Sequence, residues 1–371
     1  MGYPCLPRFG IQGQNSVCAL STPEIATKDF LGRCDISELD ISMLKRAHEL
    51  ACLGLGITGS NPIVGAVVVD SASKIIGEGF HKSGPHAEVV ALEQAGQSAK
   101  GATLFVTLEP CSHHGKTGPC TEVIIKAGIA KVVYAVRDPN ALASGGAKAL
   151  EAAGIEVKLN SEVTEIAHSN RAWLHKIKNN RPYFIWKIAT TLDGRTAAID
   201  GSSKWITGPE SRAEVSQLRS ESNAILVGTA TALADNPNLI PRDQERMSKS
   251  NPVRIVMGLR EIPSDFNLHN DAAETIFVRS HDFSELLKLC AERDFNQVFV
   301  ESGSELGTAL LKAGLIDELV IFQAASLLGS GQSFVGDLGA ANIKEKMDFL
   351  IRDVAQFGND LKITLTKEMG I

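Results

Sequence analysis

The chain has 371 residues, of which 44% are hydrophobic and 22% are charged, and its formal net charge is -6. This length favours two domains over one, and the composition is that of an ordinary soluble globular protein. The negative charge argues against a nucleic-acid partner. No uninterrupted apolar stretch is long enough to cross a bilayer, so no membrane partner is expected either.

The cysteine content indicates a reducing compartment. The chain has 7 cysteines, an odd number, and no secretory apolar segment precedes them. Free or metal-binding thiols in the cytoplasm therefore fit better than a disulfide framework. Residues 1–38 contain scattered Gly, Pro, Ser and Cys without a period, and we interpret them as a poorly ordered N-terminal extension.

The first half of the chain alternates helix and strand patterns. Apolar residues at helical spacing predict a helix over residues 41–55, and a β-branched run predicts a buried strand over residues 64–69. The other predicted elements are strands over 74–80, 103–106, 131–136 and 156–159, and helices over 86–95, 120–127 and 147–153. This alternation predicts an α/β layer fold for a first domain, residues 39–180.

Four residues of this half have the types and spacing of a catalytic zinc site. His86, Cys111 and Cys120 would supply one imidazole and two thiolates. A structural zinc usually has four protein ligands, whereas three ligands leave a position for water. Glu88, two residues after the histidine, could transfer protons to and from that water without being a ligand. His-x-Glu, then Pro-Cys, then a second Cys is the pattern of the zinc deaminases.

The predicted helix starts strengthen this interpretation. His86 and Glu88 fall in the first turn of one predicted helix, and the cysteines fall near the start of another. Two positive helix ends would therefore face one metal and favour thiolate over thiol.

The loop between the two cysteines is long and polar. Residues 112–119 separate them, whereas many nucleic-acid deaminases have two residues there. Lys116 and the pair His113 and His114 suit an anionic substrate such as a sugar phosphate. The alternative is that both histidines are exposed loop residues with no part in catalysis.

A second alternation of elements begins after residue 182. Residues 162–178 are predicted as a connecting helix that Asn179–Pro182 breaks. Asp193–Gly194 is a hairpin-turn signal, and residues 212–220 are predicted as a helix. Strands are predicted over 183–189, 224–227, 253–257, 275–278, 297–300, 319–323 and 361–366. Residues 181–371 would therefore form a second α/β domain.

One turn of this second domain could bind a nucleotide. The chain has neither a G-x-G-x-x-G fingerprint nor a Walker A motif here. Along Val300–Gly307, however, a strand ends, small residues turn the chain, and a helix starts near Glu305. Backbone N–H groups at such a helix start can hold a pyrophosphate. Most strand–Gly–helix turns bind nothing, so this turn alone is a weak signal.

Motifs in both halves resemble the bifunctional riboflavin-biosynthesis deaminase–reductase family. They are Asn61–Gly65, Gly84–Val89, Thr107–Gly115, Leu192–Ala197, Ser203–Thr207 and Thr231–Pro237. The resemblance runs from about residue 40 to the C-terminus. It implies a cytidine-deaminase-like three-layer α/β/α domain followed by a dihydrofolate-reductase-like α/β domain.

The resemblance implies two cofactors, one Zn²⁺ per chain and NADPH, and it assigns residues to the second site. NADPH would contact Ala189, Trp205, Thr231, Asp235, Gly303, Ser304, Glu305, Leu306, Gly307, Thr308 and Ala309. The substrate would contact Ser203, Arg219, Leu239, Arg242, Glu301 and, in the first domain, Asn61. Guanidinium groups suit phosphate because they bind it bidentately, although each arginine could instead form a surface salt bridge. Trp205 could instead pack in the core.

The resemblance also implies a reaction sequence. Zinc-dependent deamination of 2,5-diamino-6-ribosylamino-4(3H)-pyrimidinone 5′-phosphate, with Glu88 moving the protons, would come first. NADPH-dependent reduction of the ribosyl group to a ribityl chain would then give 5-amino-6-ribitylamino-uracil 5′-phosphate. A homo-oligomer, either a dimer or a tetramer, is expected.

Three alternatives stay open at this point. The first is a single-activity pyrimidine deaminase with an inactive reductase-like domain, which NADPH binding would separate from the bifunctional enzyme. The second is a tRNA adenosine deaminase, which the long cysteine spacing, the acidic charge and the second domain disfavour. The third is a non-enzymatic, zinc-stabilised binding module, which ammonia release would exclude.

Overall fold

Two main β-sheets, one in each half of the chain, organise the computed structural model. The structure describes residues 38–113, 118–140, 144–242 and 251–367. The predicted N-terminal extension lies outside the described residues except for Glu38, and His114 and Lys116 of the loop between the cysteines also lie outside them. None of the described helices is long and apolar enough to cross a membrane.

Five strands form the first sheet: β1 (Gly65–Val69), β2 (Ile75–Phe80), β3 (Thr103–Leu108), β4 (Lys131–Val136) and β5 (Glu156–Leu159). Their order is β2-β1-β3-β4-β5, and β1 is antiparallel to both neighbours while β3, β4 and β5 are parallel. Parallel neighbours need crossover connections, which helices provide. The helices of this half are α1 (Glu38–Cys52), α2 (Ala87–Ala95), α3 (Cys120–Ala127), α4 (Gly146–Ala152), α5 (Thr164–Ser169) and α6 (Arg171–Asn179).

Helices cover both faces of this sheet. On one face, α2, α3 and α4 pack against Val68, Leu104 and Val132. On the other face, α1 and α5 pack against Val67 and Phe105. Because successive strand residues point to opposite faces, a strand that is apolar throughout needs cover on both sides. The result is the predicted three-layer α/β/α arrangement.

The described residues of the second half form ten strands: β6 (Tyr183–Thr191), β7 (Arg195–Ala197), β8 (Ala224–Gly228), β9 (Val253–Met257), β10 (Thr275–Val278), β11 (Gln297–Val300), β12 (Glu318–Ala324), β13 (Gln332–Ser333), β14 (Leu350–Phe357) and β15 (Asp360–Thr366). Eight of them form a sheet in the order β10-β9-β8-β11-β6-β12-β15-β14. Pairing is parallel from β10 to β12 and antiparallel beyond β12. β7 and β13 pair with each other.

Helices also cover both faces of the second sheet. They are α7 (Pro209–Ser220), α8 (Thr229–Asp235), α9 (Phe283–Glu292) and α10 (Ser304–Lys312). Buried residues of α9 and α10 pack on one face, and residues of α7 and α8 pack on the other. Gly307 lets α10 approach β6 closely, since a Cβ there would lie 2.0 Å from Cζ2 of Trp186. The fold of both halves is therefore α/β, as predicted.

A buried ion pair joins the two halves through α6. Arg171 donates to the Glu318 carboxylate of β12 at 2.7 and 3.2 Å, and the Tyr183 hydroxyl donates to the same carboxylate at 3.1 Å. Burial alone would raise the pKa of Glu318, but the charge of Arg171 holds it below its usual value. A buried carboxylate of this kind depends on its partner, so this contact fixes α6 against the second sheet.

The histidine beside this junction predicts a loss of stability in mild acid. Burial, followed by the positive charge of Arg171, lowers the pKa of His168 from 6.5 to about 4. The unfolded chain therefore binds this proton more tightly than the folded chain. The contribution to stability is complete above pH 6.5 and is lost as the pH falls from 6.5 towards about 4.

We expect His168→Gln to weaken this pH dependence of the free energy of unfolding. Denaturant unfolding at neutral pH and near the middle of that window measures it. His113→Gln, a change at an exposed histidine, is the matched control and should retain the wild-type slope. A slope that His168→Gln leaves unchanged would contradict the prediction.

The differences from the predicted elements have local causes. The predicted helix over residues 162–178 is interrupted at Asn170, whose side chain bonds both the N–H and the C=O of Ile63, at 2.9 and 2.8 Å. The turn at Asp193–Gly194 is present, with Gly194 at φ 76°, but the predicted hairpin is wrong because β7 pairs with β13 and not with β6. β14 was not predicted, since its sequence does not alternate regularly between apolar and polar residues.

Candidate active sites

Three metal-binding side chains converge in the first domain. Nδ1 of His86 lies 3.1 Å from Sγ of Cys120 and 3.6 Å from Sγ of Cys111. All three ligand atoms lie within 4.8 Å of one another. Both cysteines are buried and the histidine is partly buried. The structure thus brings together the three residues that the sequence predicts as zinc ligands.

Helix starts place two of these side chains. His86 directly precedes α2, one position before the first helical turn in which the sequence analysis placed it, and Cys120 is the first residue of α3. The first N–H groups of a helix have no partner within it and give that end a partial positive charge. At α3 the Cys120 N–H donates to Sγ of Cys111 at 3.4 Å. This contact favours a thiolate at Cys111.

Two residues that sequence analysis missed fix the turn that carries Cys111. The buried Glu109 carboxylate accepts the N–H groups of Asp138 at 3.3 Å and Ala147 at 3.1 Å. Gly146 packs on the turn so closely that a Cβ there would lie 1.7 Å from the carbonyl oxygen of Pro110. The turn is therefore held by α4 and by the residues that follow β4.

This set of donor atoms fits Zn²⁺. Tetrahedral zinc with bond lengths of about 2.3 Å to sulfur and about 2.0 Å to nitrogen separates those two atoms by about 3.5 Å. The observed separations of 3.1 and 3.6 Å lie on either side of that value. Hydrogen bonds, first from Cys120 and then from His86, lower the pKa of Cys111 to about 4. The hydrogen bond to Cys111 raises the pKa of Cys120, so this pair keeps one proton that a metal would displace.

Glu88 is buried beside this cluster. It is 4% exposed, and its carboxyl group interacts with the Cys120 thiol. Burial raises the pKa of Glu88 above its usual value. A carboxyl group whose pKa is raised can both accept and release a proton nearer to neutral pH. The start of α2 therefore carries a candidate ligand, His86 just before the helix, and a candidate proton-transfer group two residues later.

Asn61 reaches the cluster through a histidine that sequence analysis missed. Nδ2 of Asn61 lies 3.4 Å from Nε2 of His81. The rings of His81 and His86 meet edge to face, with centroids 5.5 Å apart. A single histidine after a strand has no pattern that distinguishes it in a sequence. His113 is exposed.

A cleft of about 1460 Å³ opens in the second domain, beyond the carboxyl ends of its parallel strands. Such a position is typical of ligand sites in α/β sheets. The predicted cofactor residues that line it are Ala189, Trp205, Thr231, Asp235, Gly303, Ser304, Glu305, Leu306 and Ala309. The predicted substrate residues that line it are Ser203, Arg219, Leu239, Arg242 and Glu301.

Two of the predicted cofactor residues, Gly307 and Thr308, are not among the residues that line the cleft. Gly307 packs on the Trp186 indole, and the Thr308 hydroxyl accepts the N–H of Gly336 at 2.8 Å. Both belong to α10, where only one face of the helix reaches the cleft. Both residues have packing or hydrogen-bond contacts within the domain, and their contact with the cofactor stays a prediction.

A buried charge cluster forms part of the cleft wall. Arg219 donates to both carboxylate oxygens of Glu301, at 2.5 and 2.9 Å, and Lys187 lies 3.3 Å from the same carboxylate. Burial alone would raise the pKa of Glu301, but the charges of Arg219 and then Lys187 lower it to about 2. Arg219 is thus already paired, but in a buried ion pair and not in the surface salt bridge of the alternative, and its partner is itself a predicted substrate contact. Lys187 was missed by sequence analysis.

The Trp205 side chain lies at the cleft mouth between two arginines. It is 64% exposed, so the core-packing alternative for this residue is wrong. The Arg212 guanidinium lies 4.5 Å from the ring centroid, and that of Arg242 lies 5.9 Å away. Within the part of the chain that the structure describes, no ion pair involves Arg242. These arginines give the mouth a positive charge suited to an anionic ligand.

Comparison with known families assigns both halves of the chain. Residues 37–136 match the family described as cytidine and deoxycytidylate deaminase zinc-binding region, and residues 182–363 match the RibD C-terminal domain. The riboflavin biosynthesis protein RibD of Mycobacterium tuberculosis is 42% identical over 314 residues, covering 84% of this chain and 92% of the relative. The chain belongs to the RibD family.

Other RibD proteins extend the similarity over nearly their whole length. RibD of Escherichia coli is 36% identical over 359 residues, covering 87% of this chain and 98% of the relative. The structure of Acinetobacter baumannii RibD superposes with a TM-score of 0.81 at 35% identity, covering 89% of this chain and 99% of that one. A Thermotoga maritima structure, described as a diaminohydroxyphosphoribosylaminopyrimidine deaminase and 5-amino-6-(5-phosphoribosylamino)uracil reductase, gives a TM-score of 0.81 at 34% identity, covering 88% of this chain and 98% of that one.

The family membership establishes the general activity. The chain is a bifunctional enzyme of riboflavin biosynthesis, with a deaminase domain and a reductase domain. The alternative of a single-activity deaminase with an inactive second domain is not favoured. The matched ranges leave the predicted boundary near residue 180 untested, and it stays a prediction.

Proposed function

We propose that this RibD-family chain deaminates 2,5-diamino-6-ribosylamino-4(3H)-pyrimidinone 5′-phosphate and then reduces the ribosyl group with NADPH. The observation that carries the first step is the His86, Cys111 and Cys120 cluster with Glu88 buried beside it. The second step is supported by the cleft that most of the predicted cofactor residues line. The Thermotoga maritima relative, described with both activities, supports the substrate assignment.

In the deaminase site, His86, Cys111 and Cys120 would hold one Zn²⁺. When bound, Zn²⁺ supplies Lewis-acid activation of water near neutral pH. Glu88 would take a proton from the attacking water and deliver it to the departing amine, so that water replaces the exocyclic amino group and ammonia leaves. Its burial and raised pKa favour both transfers. Asn61, next to His81, would orient the pyrimidine.

In the reductase cleft, the start of α10 would bind the phosphates of NADPH. Gly303 precedes this helix, and the N–H groups at its start are oriented to bind an anion. When bound, NADPH supplies the hydride that the ring-opened ribosyl group accepts. Ala189, Trp205, Thr231 and Asp235 line the same cleft and would hold the rest of the cofactor.

Arg242 is the arginine that we propose for the substrate phosphate. Arg219 already holds Glu301 in the cleft wall, whereas Arg242 stands at the cleft mouth beside Trp205. A guanidinium group in that position can bind a phosphate bidentately as the substrate enters. Ser203, Leu239 and Glu301 would contact the ribosyl part of the substrate.

We expect Arg242→Ala to raise the reductase KM for the phosphorylated substrate far more than for a dephosphorylated analogue. Losing a charge-assisted phosphate contact costs about 1.5–3 kcal/mol, or about 10- to 150-fold. Steady-state kinetics with both substrates measures the difference. Arg260→Ala, at another arginine that lines the cleft, is the matched control. Equal effects of Arg242→Ala on the two substrates would mean that the residue is structural.

Titration of the purified chain with NADPH tests the proposed cofactor directly. Saturable binding is expected, and no binding at concentrations far above those of turnover would contradict the proposal. The homo-oligomer and the cytoplasmic location predicted from the sequence stay predictions. Light scattering of the same sample tests the first of them.

A further inference from the structure

The turn after β6 has a role that the proposed chemistry does not explain. We propose that Asp193 is a positioning residue for the reductase cleft. Its carboxylate holds residues 326–334, here called the wall segment, against the cleft and so sets where Gln332 meets the start of α10. The inference rests on the proposed function, because the wall segment borders the proposed NADPH site.

The Asp193 carboxylate bridges the turn and the wall segment. Oδ1 accepts the Leu328 N–H at 3.1 Å and the Thr191 hydroxyl at 2.6 Å, and Oδ2 accepts the Gly329 N–H at 2.6 Å. These hydrogen bonds, that of Thr191 first, lower the pKa of Asp193 to about 2. The group is therefore an ionised acceptor at neutral pH, and hydrogen bonds to ionised groups are the stronger ones.

Backbone contacts continue from this anchor along the segment. The Leu192 N–H donates to the Ser326 carbonyl at 2.8 Å, and the Phe334 N–H donates to the Gly194 carbonyl at 3.1 Å. Directly after Gly194, β7 pairs with β13 of the wall segment. Backbone contacts thus join the turn and β7 to both parts of the wall segment, and Asp193 lies at the turn.

The wall segment buries little apolar surface near Asp193. Leu327 is 72% exposed and Leu328 is 43% exposed. Segments with little buried apolar surface open at low free-energy cost unless hydrogen bonds hold them. The two N–H groups that Asp193 accepts, together with the bond from the Leu192 N–H to the Ser326 carbonyl, therefore restrain this end of the segment.

The far end of the wall segment reaches the proposed cofactor site. Gln332 and Phe334 line the cleft. Nε2 of Gln332 donates to Oγ of Ser304, the first residue of α10, at 2.9 Å. A continuous series of contacts therefore leads from Asp193 to the helix start proposed for the NADPH phosphates. A binding site held by such a supporting layer loses affinity when the layer loosens.

Asp193→Asn tests the inference because the amide keeps the size of the side chain but only one of its two acceptor oxygens. We expect the Kd and KM for NADPH to rise by up to about tenfold, because losing one charge-assisted hydrogen bond loosens the wall segment that borders the proposed NADPH site. The kcat at saturating NADPH should change by less than about twofold, because the reacting groups stay in place. Ammonia release by the first domain should be unchanged.

Asp337→Asn is the matched control. That carboxylate accepts the Gly339 N–H at 2.7 Å within its own turn, so the change should leave the Kd for NADPH at the wild-type value. A wild-type chain that does not oxidise NADPH would refute the proposed function itself. A wild-type chain that does, together with an unchanged NADPH Kd in Asp193→Asn, would overturn this inference alone.

Two further measurements, the Tm of Asp193→Asn and the NADPH affinity of a second variant, separate a positioning role from a purely structural one. A lower Tm for Asp193→Asn with unchanged NADPH affinity would make the residue structural and would also overturn the inference. If Asp193→Asn does not fold, Gln332→Ala decides, because this exposed side chain is the contact between the wall segment and α10. A several-fold rise in NADPH Kd supports the proposal, and no rise refutes it.

Discussion

Glu88→Gln should lower the rate of ammonia release by at least about 10²–10⁴, the usual contribution of general acid–base catalysis. The amide keeps the size and polarity of the side chain but cannot accept a proton at neutral pH. Zinc content should not change, because Glu88 is not one of the three converging ligands. Elemental analysis and an ammonia assay on the same preparation measure both quantities.

The reductase of this variant is its internal control. Given the already deaminated intermediate, Glu88→Gln should oxidise NADPH at the wild-type rate, since the cleft residues all lie in the second domain. Lost zinc would make Glu88 a ligand or a structural support. Retained ammonia release would place the base elsewhere, and lost NADPH oxidation would show that the two domains are not independent.

Cys111→Ser should abolish zinc binding and deamination together. The serine hydroxyl is a poor ligand for Zn²⁺, whereas hydrogen bonds from Cys120 and then His86 lower the pKa of the Cys111 thiol and so favour the thiolate that Zn²⁺ binds. About one zinc per chain is expected in the wild type, and much less than one in the variant. Cys120→Ser should behave in the same way.

Cys52→Ser is the matched control for this loss. Cys52 is a partly buried cysteine at the end of α1, with its sulfur 3.5 Å from Nε2 of His48, and it is not part of the cluster. The control should keep both zinc and ammonia release. A Cys111→Ser protein that keeps its zinc would remove the proposed metal site.

The deaminase site could be predicted because its chemistry is local in the sequence. His86 and Glu88 belong to one helix start, and Cys120 begins α3 within the bounds that apolar spacing predicts. The supporting residues could not be predicted in the same way. Glu109 acts by accepting N–H groups of Asp138 and Ala147, which only the folded chain brings to it.

The residues of the reductase cleft were even harder to predict from sequence patterns alone. Arg219 and Glu301 are 82 positions apart, one on α7 and the other directly after β11, and only the folded chain brings them together. Their assignment to one site therefore depended on the family resemblance. Strand alternation predicted β9, β10 and β11 at their observed bounds, but it could not show that β7 would pair with β13.

A single time course tests the central claim, that two active sites in this chain act in succession. Purified chain is given the pyrimidine phosphate, and ammonia and NADPH oxidation are followed with and without added NADPH. We predict one ammonia released per substrate whether or not NADPH is present, and NADPH oxidation that follows ammonia release and reaches the same amount. NADPH oxidation without ammonia release, or no ammonia at all, would contradict the account.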